Sequence, residues 1–323
     1  MGGNAGIGKG GVILAALVAL AMCVVSFFVN PIEVIPIQYG LWLDSPDSWQ
    51  IEPLVSLILD IVLIGAITFL LYVINRKYNF IRTTEPVLPA LFMVMACSSP
   101  WFNQNLNTST LLCLVNVACL GIIFGAYDSR NATHQMFVLG GASGLGSMFQ
   151  YAFLPMACVY LIWALIMKVL RMKEVLAFIL GLACPYWIGL GFGWLRFSQF
   201  HLPSLVSLFN TPNDHSDILF LLAGIGLATI IGFLAASANS MKLYAGNSRV
   251  NAMNLCVTTL GLASVVCILV DYENIPAYVM TLYMCTTVQV ANICALWHTR
   301  SNWWVTFVPA SLFVCLFIGN LIV

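Results

Sequence analysis

Charge is what this sequence lacks. Twelve basic and twelve acidic residues in 323 leave it 7% charged against 61% hydrophobic, too little polar surface to cover a soluble globule of that length. Period-two alternation over about ten residues, the mark of a membrane barrel, is also missing. Long apolar runs separated by short polar ones specify helices instead. No C-x-x-C pair occurs among the eleven cysteines, which therefore read as small core residues and not as disulfides or zinc ligands. There is no low-complexity linker, no soluble domain and no internal repeat, so the expectation is one all-α multi-pass membrane domain over 1–323.

Eleven apolar runs are present: Gly11 to Val29, Leu54 to Ile74, Val87 to Phe102, Leu111 to Tyr127, Met136 to Phe149, Ala152 to Met167, Val175 to Leu195, Ile218 to Ser237, Ala252 to Val270, Ala277 to Trp297 and Trp304 to Val323. The third, fifth and sixth fall short of the ~20 residues that cross a ~30 Å hydrocarbon core. The fifth and sixth form a hairpin hinged at Gln150, Tyr151 and Pro155, and an even number of crossings leaves the rest of the topology unchanged either way. The first run extends into Phe27, Phe28 and Asn30 with no small-residue cleavage site, so the expectation is a retained signal anchor.

The few charges are arranged by side. With the N-terminus in the cytoplasm, Lys9, Arg76, Lys77, Arg82, Arg130, Lys168, Arg171, Lys173, Lys242, Arg249 and Arg300 all lie inside, as the positive-inside rule asks. Arg196 alone lies outside. Glu33, Asp44, Asp47, Glu52, Asp214, Asp217, Asp271 and Glu273 fall outside too, a weaker check because acids contribute little to orientation. The inward basic clusters are topology determinants that also meet anionic lipid, and they point to no nucleic acid.

The stretch from Arg130 to Trp187, with its loop Tyr127-Asp128-Ser129-Arg130, the glycine-rich GGASGLGSMFQYAFLP, a basic cluster and GLACPYW, together with TEPVLPALF near Glu85, resembles a family of integral membrane proteins of Bacteroidota known only as a domain of unknown function. The likeness covers Leu54 to Arg196 and implies a bacterial inner membrane and no established activity. More distantly, the cytoplasmic N-terminus, acidic first outward loop and short hairpin of glycine-rich helix, proline and basic loop resemble the C-type polytopic glycosyltransferases that use lipid-linked sugars. The chain departs from these in its short first outward loop, Asn30 to Pro53, and in having no Asp-Asp or Asp-Glu pair there. Asp44 and Asp47, in LWLDSPDSW, come nearest.

A membrane glycosyltransferase needs an outward carboxylate as base or metal holder and a cation for the donor phosphate. Asp44 and Asp47 are the candidate catalytic acids, with Glu33 and Glu52 in the same loop; the plainer reading is a solvated loop with a turn at Ser45-Pro46-Asp47. Arg196, in GWLRFSQFH, is the candidate phosphate partner, its fork able to give two hydrogen bonds at once; an interfacial anchor beside Trp194 and Phe200 is the alternative. Asp214, His215 and Asp217 cluster near His201, but histidines at that spacing match no metal-ligand pattern, and Ser216 or Asp217 as a helix cap is the simpler account. No metal is expected, and no cofactor is named by any motif.

Asp60 sits inside an apolar run, where an acid costs about 2.5–3.5 kcal/mol near the bilayer centre. It is either a proton or substrate site facing an outward cavity, or a structural hydrogen-bonding group meeting a polar neighbour such as Asn116. The tenth run carries Tyr283, Thr286, Thr287, Gln289 and Asn292, with Cys285, Gln289 and Asn292 on one face that must meet protein or a wet cavity. Gln289 and Asn292 are candidate substrate-binding residues, with interhelical bonding as the alternative. Gly140 with Gly144, and Gly189 with Gly193, permit close helix contact. The functional expectation is a transferase of the bacterial envelope acting at the outer face on membrane lipid or a polyprenyl-linked substrate. A transporter, or a non-catalytic scaffold of an envelope assembly, is the alternative.

Overall fold

The computed structural model describes residues 9–29, 40–49, 51–81, 87–103, 106–196, 198, 200, 219–243, 247–271, 274–296 and 303–322. Among them are twelve α-helices and no strand: α1 (Lys9–Val29), α2 (Pro53–Tyr78), α3 (Val87–Ala96), α4 (Pro100–Asn103), α5 (Thr108–Phe124), α6 (Thr133–Phe149), α7 (Leu154–Ile166), α8 (Met172–Gly191), α9 (Leu219–Leu243), α10 (Ser248–Val270), α11 (Ile275–Leu296) and α12 (Trp303–Ile322). Seven of these, α1, α2 and α8 through α12, are long and apolar enough to cross a membrane.

Each apolar run expected from the sequence holds a helix, and the third holds two. The run from Val87 to Phe102 breaks because Pro100 lacks an N–H and its ring clashes with the carbonyl of a preceding turn. Ser98 closes α3 by donating its hydroxyl to Met95 O at 2.7 Å, and Pro100 opens α4. Other ends are set by local chemistry. Asn107 caps α5 by accepting from Thr110 N, and Asn247 caps α10 by accepting from Arg249 N. Asn79 ends α2 in the left-handed region, at φ 48°, a conformation its short polar side chain tolerates.

α11 is the axis of the bundle. Buried residues make up 94% of its apolar window, against 22–39% in the other six long helices, and it packs on α3, α5, α9, α10 and α12. That burial accounts for its polarity: hydroxyl and amide groups surrounded by other helices find partners there, where lipid offers none. The outer helices turn large apolar side chains outward instead, among them Leu14, Leu17, Phe69, Leu180, Phe233 and Ile318.

α6 and α8 meet closest. A Cβ on Gly140 would lie 2.1 Å from Phe178 O, one on Gly144 would lie 2.4 Å from Leu182 O, and one on Gly181 would lie 2.1 Å from Phe137 O. Only hydrogen fits at these crossings, so the glycines set the helix separation. Ser147 and Tyr186 share a hydrogen bond further along, and the ascending order of these contacts makes α6 and α8 parallel neighbours. The pair Gly189 and Gly193 does not serve the same purpose. Gly189 is covered by the Leu195 side chain, and Gly193, at φ +72° with open space around it, forms the turn after α8.

The loops fall into two groups. At one end, Tyr127 Oη lies 3.2 Å from Ser248 Oγ, Arg249 Nη2 donates to Phe124 O at 3.4 Å, Tyr78 Oη donates to Gly121 O at 3.1 Å, and Arg171 and Lys173 both donate to Arg130 O at 3.2 Å. Asp128 N donates to Met167 O at 3.0 Å. These contacts gather Arg76, Lys77, Arg130, Lys168, Arg171, Lys173 and Arg249 at a common basic end. At the other, Leu41 N donates to Ser147 O at 3.2 Å, Leu43 N donates to Met148 O at 2.9 Å, and Leu106 N donates to Ser56 Oγ at 2.6 Å.

Candidate functional site

α9 and α10 each pack extensively on α11 but only lightly on each other. The result is a cleft of about 480 Å³ with α11 as its floor. Phe233, Leu255 and Leu262, all exposed, stand at its mouth. Its walls change in character along the bundle. Toward the basic end they carry Ser237, Ser240, Asn251, Asn254, Thr258 and Gln289, whereas Ala228, Thr229, Gly261, Val265, Leu282 and Thr286 line the far part, where the Thr229 and Thr286 hydroxyls are spent on main-chain carbonyls. Among the described lining residues none is charged.

Gln289 organises the polar part. Its carbonyl groups, Oε1 and the main-chain O, accept from Asn239 Nδ2 at 2.8 and 2.9 Å, and its Nε2 donates to Thr258 Oγ1 at 3.0 Å. Three helices are joined through this one side chain. One turn further, Asn292 Nδ2 donates to Asn254 Oδ1 at 3.0 Å. Thr286 Oγ1 donates to Ala228 O at 3.1 Å on the α9 side. Two buried acceptors have no partner, Asn251 Oδ1 and Asn239 Oδ1. An unpaired buried acceptor costs about 1–3 kcal/mol, and both of these belong to residues at the polar end of the cleft.

The candidate residues from the sequence occupy three separate places. Gln289 lines the cleft and Asn292 supports its wall. Asp60 is fully buried elsewhere, between α2 and α5, with its Oδ1 2.6 Å from Thr110 Oγ1. Asn116 is not its neighbour: that amide accepts from Tyr160 Oη at 2.7 Å and donates to Thr281 Oγ1 at 3.2 Å. Asp44 and Arg196 are both exposed at the end opposite the basic loops. There Trp42 Nε1 donates to Arg196 O at 3.1 Å, and the Trp42 ring packs on Tyr186 and Phe200, with centroids 5.2 and 4.8 Å away. Asp47 is the middle residue of the short 3-10 turn Pro46–Ser48. Glu33, Arg82, His201, Asp214, His215, Ser216, Asp217 and Arg300 lie outside the described residues.

A polar cluster that sequence reasoning passed over closes the end near Gln150. Asp271 accepts from Tyr151 Oη and Asn274 Nδ2, each at 3.0 Å on Oδ1, and from Tyr278 Oη at 3.2 Å on Oδ2. Asn274 Nδ2 also donates to Tyr151 Oη at 2.6 Å, and Gln150 Nε2 donates to Asn274 Oδ1 at 2.5 Å. Burial raises the Asp271 carboxyl above its ordinary range, and the donors around it only partly offset that. Gln150 and Tyr151 read as a bare hinge, and Asp271 as an outward acid. The spacing Asp271-x-x-Asn274 between two apolar runs was the available sign that the two helix hairpins are latched together.

Compared with known proteins, the chain matches no family model, no curated protein and no solved structure. Any account of function therefore rests on these geometries. Among the described residues no group of three or more His, Cys, Asp or Glu is placed to hold a metal ion.

Proposed function

We propose that the protein spans a bacterial inner membrane eleven times with its N-terminus in the cytoplasm, and that it takes a membrane lipid with an uncharged, hydroxyl-bearing head group into the cleft between α9 and α10. The observation that carries this reading is the graded lining of the cleft, with its side-chain amides confined to the half near the basic end and mostly apolar groups beyond, where the two threonine hydroxyls are already bonded to main-chain carbonyls. A cleft between two lipid-facing helices is filled from the side, by a molecule already in the bilayer. A volume of this size suits a drug-sized or single-chain occupant. The absence of charge from the described walls favours a head group of hydroxyls over a phosphate, as in a sugar-bearing lipid.

Four features support the orientation and the count. The basic loops gather at one end, as expected of a cytoplasmic face. α3 and α4 together run from the loop after Tyr78 to Leu106, which bonds Ser56 near the start of α2. α6 lies alongside α8, and α7 returns from the Asp271 cluster to Met167, so each of these short helices joins one end of the bundle to the other.

The test is lipid retention. Protein purified in mild detergent is expected to release a glycolipid-class molecule on native mass spectrometry, and Ala236→Trp, which fills the cleft wall, is expected to lose it. Equal lipid content in the two proteins, both folded, would contradict the proposal.

A second reading, glycosyl transfer at the outer face, is favoured by the Trp42 contact that ties the loop bearing Asp44 and Asp47 to the segment bearing Arg196. It places chemistry at the end away from the cleft's polar rim, so the two readings separate. The pair Asp44→Ala and Asp47→Ala together is expected to abolish the envelope product while leaving lipid retention intact. Unchanged product at normal protein abundance would remove the two acids from catalysis.

A further inference from the structure

Asp60 lies seven residues into α2, with none of its surface exposed. The groups around it leave little freedom in how protons are arranged. Asn107 is fixed in orientation, because its Nδ2 donates to Phe102 O at 3.1 Å and its Oδ1 accepts from Thr110 N at 2.9 Å. Thr110 Oγ1 lies 2.9 Å from that same Asn107 Oδ1 and 2.6 Å from Asp60 Oδ1.

A threonine hydroxyl has one proton to give. With Asp60 ionised, Thr110 faces two acceptors and satisfies one, and the other contact sets oxygen against oxygen. A proton on Asp60 Oδ1 resolves both: Asp60 donates to Thr110 Oγ1, and Thr110 donates to Asn107 Oδ1. The second carboxyl oxygen, Oδ2, is buried without a partner. A neutral carbonyl oxygen tolerates that far better than a carboxylate oxygen does. No cationic side chain pairs with Asp60 among the described residues. α5 presents the Thr110 hydroxyl to it, and just beyond α3 the Cys97 thiol lies 3.4 Å from that of Cys23 on α1.

We infer that Asp60 is a proton-binding site within the membrane, occupied at neutral pH through the hydrogen-bonded chain Asp60–Thr110–Asn107. Release of the proton leaves a carboxylate with one donor at most and a bare oxygen. It therefore requires water or a cation to reach Oδ2, and the contact of α2 with α5 and with the α3–α4 break must open for that to happen. The proton occupancy of Asp60 and the packing of these helices are thus linked. This inference is independent of the lipid cleft.

Infrared spectroscopy of the purified protein in lipid at neutral pH reads the site. Asp271→Asn is expected to show the carbonyl stretch of a protonated carboxylic acid, and adding Asp60→Asn to it is expected to remove a component of that band. Thr110→Val is expected to keep the band and move it to higher frequency, as the bond to the hydroxyl is lost. If Asp60→Asn fails to accumulate, carboxyl-13C aspartate in Asp271→Asn gives the same information: the acid band is expected to shift with the isotope. Absence of an acid band in the parent, or a band in Asp271→Asn that neither Asp60→Asn nor the isotope changes, would overturn the inference.

Discussion

Individual side chains divide by whether a neighbour far along the chain decides their role. An acid inside an apolar run announces itself, because charge in hydrocarbon is costly, and Asp60 was legible for that reason. Its partner was not. Thr110 is 50 residues away, and nothing local in either segment distinguishes it from Asn116. Asp271 went unrecognised for a related cause: it stands between two apolar runs, where acids are ordinarily solvated, and its three donors come from residues near and distant alike. Because burial holds its folded-state pKa above the ordinary 3.8, the native state binds the proton more tightly than the unfolded chain does. The stabilisation from that proton is complete below the unfolded pKa and is lost as pH rises through the folded one. The detergent-solubilised protein is therefore expected to melt at lower temperature as pH rises above about 4, and Asp271→Asn is expected to flatten this segment of the profile. A profile of unchanged slope in the variant would show that other groups govern it.

Helices were the most readable level. Every apolar run holds a helix because the bilayer admits few other conformations, and the one internal break falls where Ser98-Ser99-Pro100 interrupts the third run. Side-by-side contacts were readable only where the residue type forces them. Gly140 and Gly144, four apart, signalled a close crossing; Gly189 and Gly193 have the same spacing and mark a turn, because the chain leaves the helix between them. The polar face of α11 was visible in Gln289 and Asn292. Asn251, Asn254 and Thr258, spaced by three and four along α10, carry the same signal for the facing wall, although Asn254 and Thr258 fall inside an apolar run and Asn251 just before it. The α6–α8 crossing yields its own expectation. Gly140→Leu places a side chain against the Phe178 main chain, where the helices must part, and overpacking of this kind costs about 1–3 kcal/mol. A lowered melting temperature in detergent is expected for Gly140→Leu and not for Gly65→Leu, since a Cβ at Gly65 meets nothing within 4 Å. Equal melting of the two variants would mean that the crossing is looser than its geometry.

At the scale of the whole molecule, seven of the described basic residues, Arg76, Lys77, Arg130, Lys168, Arg171, Lys173 and Arg249, lie at one end of the bundle. The basic loops come together through backbone and side-chain contacts among segments up to 125 residues apart, and the polar rim of the cleft lies on the same side. If that side is the cytoplasm, the cleft receives its head group from the inner leaflet, and Asp44 and Arg196 face the periplasm. Both functional readings depend on this assignment. Paired reporter fusions test it directly: alkaline phosphatase joined after Ser48 is expected to be active, and joined after Arg130 inactive, with a cytoplasmic fluorescent reporter showing the reverse at both sites. Phosphatase activity after Arg130 and none after Ser48 would invert the molecule in its membrane and contradict the account.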